Sequence, residues 1–388
     1  MKLISIEPTP SPNSMKLNLD ESLPPHERRT YTAEQASSAP EYAQRLLAIP
    51  GVRSLYHAAD FIALDRTPKG DWQAILSAAR AVLGEAPGAA PASPEAASPG
   101  NAAGETDGAF GEVTVLLQTF RGIPLQVRAQ AGGQEARVSM PERFTNAAIE
   151  AGKAAPNLIK ERQLQELGVR YGDLQDVLAE IVQEQDASYS DERLQQLVAA
   201  SYAAAADSSA ASPGVTPPPQ SDTGLAEQLR SPDWKERYAA MQRIQPSLET
   251  LPLLAGLLDD ENASVRRLAV VYIGDIREPE ALPHLFRALR DRTPSVRRTA
   301  GDTLSDIGDP AAIPAMIDAL RDDNKLVRWR AARFLYEVGD ATAIPALREA
   351  ANDTEFEIRM QANLALERIE GGRAAEGSVW QQMTRRND

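Results

Sequence analysis

The segment DRTPSVRRTAG, Asp291–Gly301, is one copy of a pattern that recurs through the last third of the chain. Related copies begin at Asp260, Asp322 and Asp353, so the pattern repeats every 31 residues. An arginine within each copy and a proline ahead of each copy keep the same period; they are Arg266, Arg297, Arg328 and Arg359, and Pro252, Pro283, Pro314 and Pro345. Several markers that share one period of this length predict a stacked array of supersecondary units.

Each repeat is predicted to be a helical hairpin. The recurring proline suits the first turn of the first helix, where its missing N–H breaks no hydrogen bond. Apolar residues then follow at three- and four-residue steps, as in Leu282, Leu285 and Leu289. A single hairpin cannot bury both of its faces, so stacking on neighbouring hairpins is expected to complete the core.

The periodic aspartates and arginines have a structural interpretation. An aspartate in the turn between helices accepts hydrogen bonds from turn N–H groups, and an arginine can reach that carboxylate in its own or the neighbouring repeat. We therefore expect a structural ladder of Asp260, Arg266, Asp291, Arg297, Asp322, Arg328, Asp353 and Arg359. The alternative is a set of acid–base groups or a phosphate-binding stripe. Recurrence in every unit favours the ladder, because a catalytic group needs to occur only once.

These features resemble HEAT repeats, particularly the short type also found in phycobilisome-lyase-like proteins, over residues 225–371. The resemblance implies an all-α solenoid, with a tail at residues 372–388. Aromatic and arginine side chains often anchor protein interfaces. The side chains expected to face a protein partner are Arg267, Arg298, Trp329, Arg330 and Tyr336. For Trp329 and Tyr336, packing between repeats is an equally open alternative.

Two segments rich in Ala, Pro, Gly and Ser divide the rest of the chain, at residues 86–109 and 203–224. They carry too few apolar side chains to offset the entropy of ordering, so both are predicted to be flexible linkers. Their prolines argue against the alternative of Ala-rich helices. Residues 1–85 and 110–202 are then separate modules, each predicted to be a small α+β domain.

In residues 1–85, the segments KLISIE and SMKLNL alternate apolar and polar residues as strands do, and Gly51–Leu64 predicts two further strands. Helices are expected at Pro40–Ile49 and at Asp71–Gly84, the second with an aspartate cap and a glycine end. The middle module is predicted to begin with three strands. Three or four helices are predicted after them, in the segments Pro141–Gly152, Asn157–Gly168, Gly172–Gln185 and Ser190–Ser201.

The segment TPSPNSMKLNL, Thr9–Leu19, resembles the N-terminal domain of Nfu-type iron–sulfur scaffold proteins. The matching residues are Thr9, Pro10, Pro12, Asn13, Ser14, Met15, Lys16, Leu17, Gly51, Val52, Arg53, Ser54, Leu55, Asp60, Phe61, Ile62, Asp71 and Trp72. That family holds its cluster on a CxxC pair in a separate domain, but this chain contains no cysteine. The resemblance therefore implies only the N-terminal fold and a partner-binding role, with Asn13 and Ser14 as candidates. A strand-entry turn is the alternative role for these two residues.

The amino-acid composition excludes several classes of function. A net charge of −14 argues against nucleic acid or an anionic membrane as a partner. The absence of cysteine removes thiolate metal sites and cysteine nucleophiles, and His26, His57 and His284 are isolated in the sequence. No apolar run is long enough to span a membrane and no secretory signal is present, so the expected location is cytoplasmic.

The order of the parts resembles the conserved virulence factor C family of Gram-positive bacteria. We expect a non-catalytic adaptor without cofactor or metal, whose HEAT array binds a protein partner and which regulates virulence or metabolism. The first alternative is an accessory factor in iron–sulfur delivery that recognises a carrier or recipient through the N-terminal domain. A chromophore-lyase-like enzyme is the third hypothesis, which rests on fold analogy alone.

Overall fold

A computed structural model describes residues 1–9, 11–24, 27–67, 70–84, 111–131, 133–154, 160–206 and 224–372. The described residues fall into two compact units: the first comprises those of Met1–Phe110 and Leu289–Asp388, and the second those of Gly111–Ala288. The predicted linker at residues 86–109 and most of that at residues 203–224 lie outside the described residues, as do Pro10, His26 and the tail from residue 373.

The first unit contains the head domain, residues 1–84. Its strands are β1 (Leu3–Pro8), β2 (Ser14–Leu19), β3 (Arg28–Thr32), β4 (Val52–Ala58) and β5 (Phe61–Arg66), and its helices are α1 (Glu41–Leu47) and α2 (Trp72–Leu83). The strands form one antiparallel sheet in the order β1-β2-β5-β4-β3. Only β3 was not predicted, because its sequence RRTYT lacks the apolar alternation of a half-buried strand.

Apolar and polar side chains alternate along the strands, so the apolar side chains share one face of the sheet, which the helices cover. Met15, Leu17 and Leu19 of β2 are buried in the head core, and the residues between them remain partly exposed. The side chain of Asp71 caps α2 by accepting two backbone N–H groups, and Gly84 ends the helix at a φ of +71°. Within the described residues, neither α1 nor α2 covers the other face of the sheet, which includes Lys16, Asn18 and Phe61 and is called the outer sheet face.

The second unit begins with the middle domain, residues 111–206. Its strands are β6 (Glu112–Phe120), β7 (Ile123–Ala131), β8 (Gln134–Ser139) and β9 (Arg162–Tyr171), and its helices are α3 (Glu142–Gly152), α4 (Leu174–Ser188) and α5 (Asp191–Ala206). The antiparallel sheet has the order β8-β7-β6-β9. The helices contribute to the core on one face of this sheet, since Phe144 of α3 and Ile181 of α4 belong to the same hydrophobic core as Val115 of β6.

The helix predicted at Asn157–Gly168 is wrong. From Arg162 onward the segment belongs to β9, which pairs with β6 from Arg162 opposite Phe120 to Tyr171 opposite Glu112. Leu164 and Leu167 have helix-like spacing, but pairing with β6 outweighs this weak local preference. In the described part of the middle domain the sheet therefore has four strands.

Helical hairpins complete both units. The second unit has α6 (Leu225–Gln228), α7 (Trp234–Met241), α8 (Leu251–Gly256), α9 (Ala263–Ile276) and α10 (Leu282–Ala288). The first has α11 (Pro294–Ile307), α12 (Ile313–Ala319), α13 (Lys325–Glu337), α14 (Ile344–Ala350) and α15 (Phe356–Glu370). Pro252, Pro314 and Pro345 lie in first helical turns, as predicted. The predicted fold class, two α+β domains and all-α repeats, is confirmed.

Candidate functional site

Arginines in the repeats form bidentate ion pairs with the aspartate of the next inter-helix turn. Arg297 donates from Nε and Nη2 to the two carboxylate oxygens of Asp322, at 2.7 and 2.8 Å. Its Nη1 donates to the carbonyl of Asp291, at 2.8 Å. The same arrangement joins Arg328 to Asp353 in the first unit and Arg237 to Asp260 in the second.

The carboxylates of these pairs also stabilise their own turns. Asp322 accepts the backbone N–H of Asn324 at 2.8 Å. Burial acts to raise the pKa of Asp353, but hydrogen bonds from Arg328 and from the N–H of Glu355 outweigh it, so this pKa is lowered. Because both oxygens accept strong hydrogen bonds, we infer that the pairs hold successive hairpins together rather than serving as acid–base groups.

Replacing Arg297 by alanine should lower the free energy of unfolding by about 1–3 kcal/mol, because Asp322 would keep a largely buried charge without its partner. These side chains are 14% and 11% exposed. The control is Arg290→Ala, since the Arg290–Asp318 pair is 74% and 64% exposed and should contribute almost nothing. Urea denaturation of both variants provides the comparison, and equal losses would contradict the structural role.

The candidate residues Asn13 and Ser14 lie where the loop between β1 and β2 enters β2. The Asn13 side-chain oxygen accepts a hydrogen bond from Nε of Arg66 at 3.2 Å, and its carbonyl accepts the backbone N–H of the same arginine at 3.0 Å. The neighbouring Pro12 carbonyl accepts from the Trp72 indole at 2.9 Å. Ser14 begins β2. Both candidates therefore lie in a strand-entry turn that the head domain itself stabilises.

Arg66 also connects this loop to the last repeat, within the first unit. Its Nη1 lies 2.5 Å from Oε1 of Glu357, and the two side chains are only 6% and 5% exposed. Burial raises the pKa of Glu357, and the nearby guanidinium offsets this only in part. Beside the ion pair, Phe356 and Met360 of α15 pack against the apolar core of the head domain.

A second buried arginine binds the backbone of the same loop. Arg333 of α13 donates from Nη1 to the carbonyls of Pro8 and Thr9, at 2.9 and 3.2 Å. Its Nε contacts Glu337 at 2.6 Å, and burial raises the pKa of that carboxyl against the attraction of Arg333. Helices α13 and α15 thus bind the head domain through charged, backbone and apolar contacts together.

In the second unit, α4 of the middle domain contacts the repeat helices through charged groups. Arg267 donates to Glu184 at 2.6 Å, and Glu180 lies 3.8 Å from the same guanidinium. Burial raises the pKa of Glu180, and the adjacent Glu184 raises it further. Further polar contacts between these elements are Lys235–Asp186 and Gln242–Ser188, each at 2.6 Å.

The expectation that the repeat side chains face a partner does not hold at two positions. Arg267 is 9% exposed because α4 covers it, and Trp329 is 3% exposed, with the guanidinium of Arg330 at 4.8 Å from its ring centroid. Trp329 is therefore buried, as the packed alternative requires. Arg298 and Arg330 both contact Asp302, at 3.0 and 2.6 Å. The partly buried members of the set are Arg298, Arg330 and Tyr336.

The outer sheet face of the head domain is partly exposed and carries a polar and aromatic cluster. Lys16 and Asn18 contact Glu7 at 3.0 and 2.7 Å. The Lys16 ammonium lies 5.4 Å from the ring centroid of Phe61, which in turn lies 6.1 Å from the ring of Tyr56. The cluster combines side-chain types that are common in protein interfaces.

The described parts of the chain carry no signature of a metal site or of a membrane-spanning helix. No group of three or more His, Asp or Glu side chains there is placed to hold a metal ion. No helix in those parts is both long and apolar enough to cross a bilayer. His57 is buried, with Nδ1 2.7 Å from the Tyr42 hydroxyl, and burial lowers its pKa.

Sequence reasoning missed four charged side chains through which the repeats contact the two sheet domains, Arg66, Glu184, Arg333 and Glu357, and also Glu337, which pairs with Arg333. A signal was present in departures from the repeat. At the position of Glu357 the two preceding repeats have Leu326 and Ser295, so the last repeat alone among these three places a charge there.

Family models match all three parts of the chain. A model for the N terminus of the scaffold protein Nfu/NifU matches residues 4–87. A model described as a virulence factor matches residues 118–198. A HEAT-repeat model matches residues 223–300 and 287–367.

Relatives match the chain over its whole length. YpgR of Bacillus subtilis (strain 168) is 51% identical, over 99% of this chain and 98% of its own. Conserved virulence factor C of Staphylococcus haemolyticus (strain JCSC1435) is 42% identical over 100% of both chains. Among solved structures, protein SAV1430 of Staphylococcus aureus is 38% identical over 21% of this chain and 98% of that chain, with a TM-score of 0.20.

Proposed function

The chain belongs to the conserved virulence factor C family, and we propose that it is a non-catalytic adaptor that presents its Nfu-like head domain to a protein partner. The observation that carries the proposal is the docking of the head on α13 and α15. Through Arg333 and the Arg66–Glu357 pair, these repeats bind the loop that holds Asn13 and Ser14. The loop between β1 and β2 is thereby held by contacts within the chain, whereas the outer sheet face is partly exposed.

The buried acids support a role without catalysis. Glu184, Glu337 and Glu357 each lie within 2.6 Å of an arginine nitrogen and are nearly inaccessible to solvent. A general acid or base must reach the proton it transfers, so these groups suit structural ion pairs. According to the adaptor hypothesis, the repeats position the sheet domains for binding. The bound partner then regulates virulence or metabolism.

Site-specific photo-crosslinking in living cells tests the adaptor. With a photoreactive residue at Phe61, the full-length chain should give a discrete crosslinked product, because this position lies in the partly exposed cluster. The control position is Leu253 on α8, which is 37% exposed and outside the head domain. Lys16→Glu should remove the Phe61 product. No product at Phe61, or the same product from Leu253, would refute the proposal.

A second candidate, an accessory role in iron–sulfur delivery, is favoured by the Nfu/NifU match over residues 4–87. The cluster would be the cargo of a separate carrier, recognised by the head domain. Adding the purified chain to a cluster-loaded carrier and an apo-recipient should then change the transfer rate, and Phe61→Asp should abolish the change. A transfer rate that is the same with and without the chain would eliminate this role.

A further inference from the structure

The first half of β9 is an open edge of the middle sheet. β9 ends the order β8-β7-β6-β9, so one side of its backbone pairs with β6, and no strand in the described parts of the chain pairs with the other. Residues 162–166 are all exposed, and Leu164 is 52% exposed. An exposed edge that carries an apolar side chain readily pairs with another strand.

The sequence of this edge is complementary to itself. It reads Arg162, Gln163, Leu164, Gln165 and Glu166. In an antiparallel pair centred on Leu164, Arg162 of one copy lies opposite Glu166 of the other, Gln163 lies opposite Gln165, and the two leucines meet. Arg162, Leu164 and Glu166 share one face of the strand, because alternate residues project to the same side.

The two charged residues lack a partner within the edge. Arg162 and Glu166 are four positions apart, about 13 Å along an extended strand, so they cannot pair with each other. The described residues offer neither of them an ion pair. A second copy in antiparallel register would supply both missing charges at once.

We propose that the chain forms a two-fold symmetric dimer in which β9 pairs with β9 of a second copy, joining two four-stranded sheets into one. The pairing satisfies backbone groups at the open edge, covers Leu164 and forms two Arg162–Glu166 ion pairs. The register is specific. Moving its centre to Gln163 or Gln165 places Arg162 opposite Leu164 or Gly168, and Arg162 then loses its opposite charge.

Charge reversal and recombination test this dimer in the full-length chain. Sedimentation equilibrium should show a monomer–dimer equilibrium for the unaltered protein. Glu166→Arg and Arg162→Glu should each weaken association by about tenfold or more, because each variant sets two pairs of like charges across the two-fold axis. An equimolar mixture of the two variants should dimerise again, since every opposing pair is then Arg with Glu. The double variant R162E/E166R should also recover.

The matched control is Arg137→Glu on β8, the opposite edge of the same sheet, which should leave association unchanged. Circular dichroism and thermal melts check that each variant is folded. The proposal is overturned by a monomer at every concentration up to the solubility limit, or by a dimer that E166R leaves intact. A dimer that R137E dissociates, or two reversed variants that fail to associate on mixing, would overturn it equally.

Discussion

Replacing Arg66 by methionine should lower the free energy of unfolding by about 3–5 kcal/mol, the cost of leaving a buried charge without its partner. Glu357 would then sit with 5% exposure beside an apolar side chain. The Asn13 side chain would lose the guanidinium that holds the loop between β1 and β2. We also expect faster hydrogen exchange at the backbone of β1 and β2, because the contact between the head domain and α15 weakens.

The loss of unfolding free energy in the Arg66→Met variant should be larger at high pH than at low pH. Burial already raises the pKa of Glu357, and Arg66 is the main group that opposes the rise. Without Arg66, the folded-state pKa moves further above the unfolded value of about 4.3. Protonation of Glu357 then favours the folded state, so the deficit is full above the folded-state pKa and shrinks as pH falls through it. Urea denaturation between about pH 8 and pH 5 measures the change.

Matched variants separate the buried pair from a general charge effect. Glu349→Ala removes one member of the Arg321–Glu349 pair, which is 59% and 63% exposed, so its effect should be close to zero. The double variant R66M/E357L should recover most of the stability, since apolar replacement of both members leaves no buried charge. A deficit of R66M that is independent of pH, or no larger than that of E349A, would contradict the structural role of the pair.

The hairpins were predictable because their information is local and repeated. The period of 31 residues places the prolines, the apolar stripes and the turn aspartates without reference to the rest of the chain. The Asp71 cap and the Gly84 end of α2 were predictable for the same reason, since a cap depends on neighbours only a few residues away. These local preferences are kept in the folded protein because the tertiary contacts favour the same helices and caps.

The contacts between sheet domains and repeats could not be predicted in this way. Arg66 and Glu357 are distant in sequence, and nothing near either residue indicates the other. Glu184 continues the buried side of α4, which includes Val177 and Ile181, and only the position of Arg267 explains a charge there. The helix predicted from the spacing of Leu164 and Leu167 was wrong for the same reason. The strand β9 forms because it pairs with β6, which is a non-local contact.

Replacing Arg267 by methionine should destabilise the second unit by about 3–5 kcal/mol, because Glu184 is 2% exposed and would lose its principal partner. Arg170, at 3.9 Å, is too distant to replace the 2.6 Å contact. If Arg267 instead served an external partner, the variant would lose binding and keep its stability.

The comparison with Arg287→Met decides between these roles, since the Arg287–Asp259 pair is 50% and 70% exposed and its loss should cost almost nothing. The double variant R267M/E184L should regain most of the lost stability, because no unpaired charge then remains in the interface. Urea denaturation of the three variants is the measurement. If R267M were as stable as R287M, Arg267 would have no structural role in the interface and would again be a candidate for contacting an external partner. A large loss reversed by E184L would instead establish that the repeats first serve to bind the chain's own middle domain.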